Sequence, residues 1–361
     1  MRLLFVCPDM RTGGAERHWA TLIPLLAARG AEVGVVCLSG EGALYGALAG
    51  AGVPAVCLHM RGRADPRGWR RALGYSRPRP DAVVSRGVSG VLAAEAIARR
   101  ARAPHVVNEH TPLTADGELL AMRPHQRRLT RLAAPRVDGV IAVARRQVEP
   151  LARLGYRRER IEVIANGVAP APEGPPGRRL AGADEFGVLC AARMQPEKRV
   201  DLFVRAIAAA RRSQPAIRGF VAGDGSERAR IEALAEGSGV ALLGARGDIP
   251  ALLAGADAFA LTSEAEALPM SILEAMALGV PVIAPDLGGT SDAVVHGETG
   301  LLVAPGDPGA IERAVLELAS DPARARRLGA AGRARQRELF TAAAMADAYL
   351  GSLERMAARG R

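Results

Sequence analysis

Two glutamates, Glu266 and Glu274, stand eight positions apart in the stretch Ser-Glu-Ala-Glu-Ala-Leu-Pro-Met-Ser-Ile-Leu-Glu-Ala-Met-Ala-Leu-Gly that runs from Ser263 to Gly279. Proline is tolerated at the first turn of a helix and glycine is favoured just beyond its end, so the spacing predicts a short helix over 269–278 stopped by Gly279. Glu266 then falls in the loop before that helix. Glu274 falls on it, among Ile272, Leu273, Ala275, Met276 and Ala277, where a solitary carboxylate is costly unless a donor such as a ligand hydroxyl bonds it. The helix start, formed by Leu268, Pro269, Met270 and Ser271, offers free amides and a positive dipole end to a phosphate. The plainer alternative is that Glu264, Glu266 and Glu274 are solvated or salt-bridged surface charges.

The cations carry a second clue. Of 48 Lys plus Arg, only Lys198 is a lysine, which singles out a place where a compact ammonium is wanted; chance is the competing explanation. Arg193 and Lys198 lie five apart across a predicted turn and can converge on a pyrophosphate, or else both are exposed loop charges. In the first half, Gly13 and Gly14 separate a predicted strand from a predicted helix. They form either an ordinary tight turn or a place where backbone approaches a phosphate closely. Asn108-Glu109-His110-Thr111 follows another predicted strand. A lone histidine in such a place is a surface residue, a satisfied core residue or a ligand contact.

The elements that must position these residues alternate. Apolar runs at 3–7, 33–38, 55–58, 82–85, 105–108 and 137–143 read as strands, interleaved with helical patterns such as the one through Leu22, Leu25 and Leu26. A second series begins at 187–191 and continues at 220–222, 242–244, 257–261 and 280–284. Strands alternating with helices predict right-handed βαβ units and parallel sheets. Between the two series, residues 169–183 are rich in Pro, Gly and Ala and read as a linker. The expected domains are therefore 1–168 and 184–340, with a C-terminal helix over 341–361. Helices are also expected over 308–320 and from 322 onward.

With 361 residues and 49% hydrophobic content the chain can bury the cores of two domains. No run approaches the roughly 18 to 20 apolar residues of a membrane span, and the start reads as a strand rather than a signal peptide. Cys7, Cys37, Cys57 and Cys190 are scattered without metal-ligand spacing and read as reduced thiols of a cytoplasmic protein. There is neither an Asp-x-Asp nor a histidine cluster, so no metal and no cofactor is expected. The net charge of +10 is uneven: residues 1–165 hold 26 Arg against 14 acids, a net +12, which leaves −2 for the remainder. A basic half suits nucleic acid, an anionic lipid surface or an anionic substrate, or is simply a solvated face. With aromatics at 3% there is little for base stacking, so a nucleic-acid partner is not expected. Peripheral contact with an anionic membrane surface, through the Arg-rich stretches 61–79 and 123–136, fits the charge better.

The string from Ser263 to Gly279 resembles the E-x7-E signature of the family-four retaining glycosyltransferases, which adopt the two-Rossmann-domain GT-B fold with a cleft between the domains. The resemblance covers most of the chain, with its specific motifs in residues 187–303. It implies that Glu266 holds the transferred sugar and Glu274 the ribose of a nucleotide-sugar donor. Arg193-x4-Lys198 looks like the family's diphosphate clamp, Gly13-Gly14-Ala15-Glu16-Arg17 like its acceptor-side loop, and His110 like the histidine that contacts the donor sugar. The turn at Gly223 and Gly225 packs beside the diphosphate in that family, and the loop between Gly244 and Asp248 meets the base. Departures from the family pattern are Ala165, Ala169, Ala192 and Asp292, where Pro, Asp, Gly and Glu are usual. The implied activity is transfer of a sugar, with retention, from a UDP- or GDP-sugar to a hydroxyl acceptor that includes lipid-linked acceptors, and the implied tail helix crosses back to the first domain. Glu266 either orients sugar hydroxyls or acts as a nucleophile. Rival readings are a sugar-nucleotide epimerase or hydrolase of the same fold and a non-catalytic binding protein. A NAD enzyme is disfavoured, because Gly223-Asp224-Gly225 is followed by Arg228 where a third glycine is needed.

Overall fold

A computed structural model describes residues 1–10, 13–62, 64–120, 122–171 and 178–359. The linker prolines Pro172, Pro175 and Pro176, and Thr12 beside Gly13, lie outside the described residues. The chain forms two compact units. One comprises Met1–Thr111, Leu119–Gly167 and the C-terminal helix Ala342–Arg359; the other comprises Pro112–Glu118 and Val168–Thr341.

In the first unit the strands are β1 (Arg2–Asp9), β2 (Glu32–Gly40), β3 (Ala55–Cys57), β4 (Ala82–Ser85) and β5 (His105–Glu109). After the short β6 (Leu113–Thr114), which belongs to the second unit, β7 (Gly139–Ala142) and β8 (Ile161–Val163) complete the series. They make one sheet in the order β3-β2-β1-β4-β5-β7-β8, with every pairing parallel. Strands buried on both faces read as continuous apolar runs, which is why they were legible in sequence. Helix Gly14–Ala28 places Trp19, Leu22, Ile23 and Leu26 against the sheet together with Tyr349 and Leu353 of the C-terminal helix.

The second unit holds β9 (Phe186–Ala191), β10 (Ile217–Ala222), β11 (Val240–Gly244), β12 (Ala258–Ala260), β13 (Ala265–Glu266), β14 (Val282–Pro285) and β15 (Leu301–Val303). Six of them form a parallel sheet in the order β11-β10-β9-β12-β14-β15. Counted within its own unit, this is the doubly wound order 3-2-1-4-5-6, and the first unit follows the same order through its first six strands and adds β8 at the edge. Phe203 and Ile207 of helix Val200–Ser213 and Val315 and Leu318 of helix Pro308–Ser320 fill one face of the second sheet.

Three details differ from the sequence expectation. Residues 112–118, placed in the first domain by sequence, group with the second unit because β6 pairs antiparallel with β13. Helices Pro66–Gly74 and Pro124–Ala133 run through the two Arg-rich stretches. Strand β15 follows turns that gave no strand signal, and it is only three residues long.

Candidate functional site

In a doubly wound sheet the connections from the first and fourth strands leave in opposite directions, and the crevice at the strands' carboxyl ends is where ligands bind. In the second unit these are the loops after β9 and β12. The loop after β9 carries Arg193 and Lys198; the connection after β12 carries Ser263 and Glu264 and then Glu266, which the sequence reading placed in a loop and which ends the two-residue strand β13 because it pairs with Leu113. Lys198 Nζ donates to Glu266 Oε1 at 2.6 Å, with 20% of the lysine side chain and 10% of the glutamate side chain exposed. The sequence marked both residues separately; their contact, 68 residues apart, was not legible.

Backbone contacts knit the two loops. Thr262 Oγ1 donates to the Lys198 carbonyl at 3.0 Å, and the Glu264 amide donates to the Glu197 carbonyl at 2.9 Å. Arg199 takes a left-handed φ of 46° and spans Asp201 at 3.1 Å and Glu264 at 3.7 Å. Arg193 instead projects outward, half exposed and 3.9 Å from Glu197, which leaves its guanidinium available to an anion. Ser263 Oγ is buried without a hydrogen-bond partner among the described residues.

The helix predicted over 269–278 spans Met270–Ala277. Pro269 serves as its N-cap with ψ 123°, one position earlier than the sequence reading placed it, because an extended ψ excludes it from the first turn. At the other end Gly279 adopts φ 74°. Its amide bonds the Met276 carbonyl and the Val280 amide bonds the Ala275 carbonyl, the paired bonds of a Schellman stop. Leu268 and Met270 are buried, and Ser271 and Glu274 are half-buried. The first-turn amides thus begin four residues after Glu266.

Two glycines in this unit hold backbones together. A Cβ on Gly288, at φ 53°, would lie 1.9 Å from the Glu266 carbonyl oxygen, and one on Gly223 would lie 1.8 Å from the Ala192 carbonyl oxygen. Gly223 therefore permits packing of the turn after β10 against the loop that bears Arg193. Among the described residues no group of three His, Cys, Asp or Glu side chains is arranged to hold a metal.

In the first unit the corresponding loops follow β1 and β4. Gly13 is the extended N-cap of helix Gly14–Ala28, and a Cβ at Gly14 would meet open space. Glu16, in the first turn, accepts from Arg86 Nη1 at 2.6 Å. Arg86, at the end of β4, also donates to the Asp9 carbonyl at 2.7 Å and lies 5.1 Å over the Trp19 ring. His110, just past β5, is half-buried and has Asn108 Oδ1 at 3.0 Å from Nε2. Burial, reinforced by His18 and Arg86, holds its pKa well below the usual imidazole range, while burial pushes the neighbouring Glu109 carboxyl up. Sequence reasoning missed Arg86, His18, Trp19 and Tyr349. Only Arg86, at a strand's carboxyl end, carried a local signal.

Family profiles match both parts of the chain: "Glycosyltransferase Family 4" over residues 12–171 and "Glycosyl transferases group 1" over residues 178–335. Over 206 residues the chain is 34% identical to an exopolysaccharide phosphotransferase of Streptomyces coelicolor, covering 55% of this chain and 21% of that protein. Over 168 residues it is 36% identical to a GDP-mannose-dependent alpha-(1-6)-phosphatidylinositol monomannoside mannosyltransferase of Mycolicibacterium smegmatis, covering 43% and 44%. The matches thus span less than half the length of these two relatives. The crystal structure of Anabaena HepE in complex with UDP and glucose superposes with a TM-score of 0.84 at 22% identity, over 98% of this chain and all of that one. At that identity the likeness speaks for the fold. With the two profiles matching one after the other along the sequence, the chain belongs to glycosyltransferase family 4 and has the GT-B fold of two Rossmann-like domains.

Proposed function

We propose that the protein is a retaining, metal-independent glycosyltransferase that moves a sugar from a nucleotide-sugar, UDP-linked by preference, to a hydroxyl acceptor in surface polysaccharide, glycolipid or glycosylated-metabolite synthesis. The observation that carries the reading is the Lys198–Glu266 contact of 2.6 Å across the β9/β12 loops, four residues before the start of helix Met270–Ala277. As the bond between the anomeric carbon and the diphosphate oxygen breaks, charge grows on the β-phosphate. Lys198, Arg193 and the first-turn amides at Met270 and Ser271 supply positive charge to it, in the place a metal ion fills elsewhere. Glu266 orients sugar hydroxyls and Glu274 the ribose. The acceptor oxygen forms the new bond on the same face, and its proton passes to the departing phosphate. In this reading the second unit binds the donor and the first unit the acceptor.

The UDP preference draws on HepE, which binds UDP and glucose, whereas the mannosyltransferase relative is GDP-mannose-dependent, so a GDP donor is the specific alternative. The phosphatidylinositol monomannoside in that relative's name, together with the +12 charge of residues 1–165, favours a lipid-linked acceptor and work at the cytoplasmic face of an anionic membrane. No helix among the described residues is long and apolar enough to cross a membrane.

The test is release of UDP or GDP from a panel of nucleotide-sugars in the presence of EDTA and mixed polyprenyl-phosphate glycans. One donor should turn over, survive chelation, and collapse in Lys198→Ala and Glu274→Ala. Donor consumption that is independent of every acceptor would favour a hydrolase or epimerase instead, and absence of release from any donor would favour a binding protein. Failure of anionic liposomes to retain the protein at low salt would remove the membrane arm.

A further inference from the structure

The buried polar network around His110 fixes where the hydrogen on its ring stands. An indole N–H can only donate. Trp19 Nε1 lies 2.7 Å from Asn108 Oδ1, which fixes that atom as the amide oxygen; a flipped amide would set donor against donor. The Asn108 NH2 group faces the other way and donates to the Tyr349 hydroxyl at 2.7 Å and to the Ile141 carbonyl at 3.4 Å. Tyr349 therefore accepts from Asn108, and its hydroxyl also bonds His18 Nε2 at 3.1 Å, in the direction that the His18 tautomer sets. His110 Nε2 stands 3.0 Å from the same Asn108 oxygen. An oxygen that only accepts requires a hydrogen on that nitrogen, and in a neutral ring this leaves the lone pair on Nδ1.

We infer that Asn108, oriented by Trp19, is a positioning residue that fixes His110 as the Nε2–H tautomer and makes its Nδ1 an acceptor for a ligand hydroxyl. That the ligand is a sugar rests on the transferase reading; the tautomer does not. A hydroxyl brought to Nδ1 donates its hydrogen, whereas a carboxylate or phosphate oxygen would set lone pair against lone pair. The site thus selects a hydroxyl over an anionic group at that position. The titratable and charged groups facing His110 are consistent with a neutral ring: His18 at 4.6 Å between ring centroids, Arg86 with its partner Glu16, Tyr349, and Glu109, whose carboxylate accepts from the Thr111 amide and hydroxyl. Burial depresses His18 to about 3 and holds His110 well below its usual range.

Long-range 1H–15N correlation spectra of the full-length protein labelled with 15N-histidine read the tautomer directly, without turnover. The wild type at pH 7 should show a protonated, pyrrole-type Nε2 and a bare, pyridine-type Nδ1 for His110, assigned by comparison with His110→Gln. Asn108→Ala should admit the Nδ1–H form, whereas Tyr349→Phe, which removes the bonds to the Asn108 NH2 group and to His18 but leaves Asn108 Oδ1 with Trp19 and His110, should retain Nε2–H. With a donor found in the nucleotide-sugar panel, Asn108→Ala should lower kcat/KM about tenfold or more relative to Tyr349→Phe. An Nδ1–H or doubly protonated His110 in the wild type overturns the inference, as does an unchanged tautomer or unchanged kcat/KM in Asn108→Ala. If Asn108→Ala does not fold, the wild-type spectrum decides alone. Failure of the transferase reading would appear in the panel and leave that spectrum untouched.

Discussion

Among the described residues each unit carries a largely buried ion pair across the same topological position, between the connections after its first and fourth strands, and the two pairs have opposite polarity. In the first unit the acid, Glu16, follows β1 and the base, Arg86, follows β4; in the second the base, Lys198, follows β9 and the acid, Glu266, follows β12. Both are 2.6 Å long. They differ in what surrounds the cation. Arg86 is stacked on Trp19, bonded to the Asp9 carbonyl and only 9% exposed in its side chain. Among the described residues the Lys198 ammonium bonds Glu266, and its side chain is about twice as exposed. Arg86 is bonded through both terminal nitrogens and enclosed by the protein, with its Nε buried and unpartnered among the described residues; a cation enclosed in this way holds structure, and one with exposed donors to spare can receive a ligand.

Removing the acids separates the two pairs. Glu16→Ala leaves Arg86 buried without its counter-charge, and breaking a buried pair from one side costs about 3–5 kcal/mol. Chemical denaturation should register that loss in the first unit. Glu266→Gln should behave in the opposite way. The amide still accepts a hydrogen bond and Lys198 can turn to water, so stability is nearly kept, while turnover falls on the order of 10²- to 10³-fold as for other preorganised polar groups. If Glu16→Ala is silent in stability, or Glu266→Gln unfolds the protein, the division into a structural and a ligand-facing pair fails.

Acid sharpens the same contrast. His18 is neutral in the fold because burial, then Arg86, lowers its pKa from 6.5 to about 3. The unfolded chain binds the extra proton first, so stability present above pH 6.5 is lost as pH falls from 6.5 toward 3. Glu109 works against this, since burial raises its pKa and the fold gains as that carboxyl protonates. In the second unit Asp201, which burial alone would raise, is held below 3.8 by Arg199 and Arg230, so its contribution survives until the pH drops below that value. Both tryptophans, Trp19 and Trp69, lie in the first unit. Denaturation followed by their fluorescence should therefore weaken between pH 6.5 and 4.5, while amide protection of β9 and β10 holds. Equal losses in both units would contradict the account.

How much of this was legible in sequence follows from the range of the interactions. The helix Met270–Ala277 was bounded by Pro269 and Gly279, and helices Pro308–Ser320 and Pro322–Leu339 by Asp-Pro pairs whose carboxylates accept from Gly309 and Arg324 amides. These are signals within four residues. Lys198 and Glu266 stood out by type, but their pairing needed the strand order. The His110 network was out of reach, because His18 and Tyr349 are 331 positions apart and Trp19 and Asn108 are 89 apart, each an unremarkable core residue in its own segment. Strands β6 and β13, two residues each, are too short to show any alternation.

The smallest expected effect tests whether burial, rather than geometry, separates these ion pairs from the rest. Arg246 and Asp248 make the same 2.6 Å contact and a second bond at 2.8 Å, so their bidentate geometry is better than that of Lys198 and Glu266. Yet both side chains are more than 40% exposed. In water the attraction is screened, and holding the long arginine side chain in one pose costs entropy. Arg246→Ala should therefore leave the thermal midpoint unmoved at physiological salt. A drop comparable with that of Glu16→Ala would mean that the pair's geometry is what matters, and the distinction drawn between Arg86 and Lys198 from their surroundings would lose its basis.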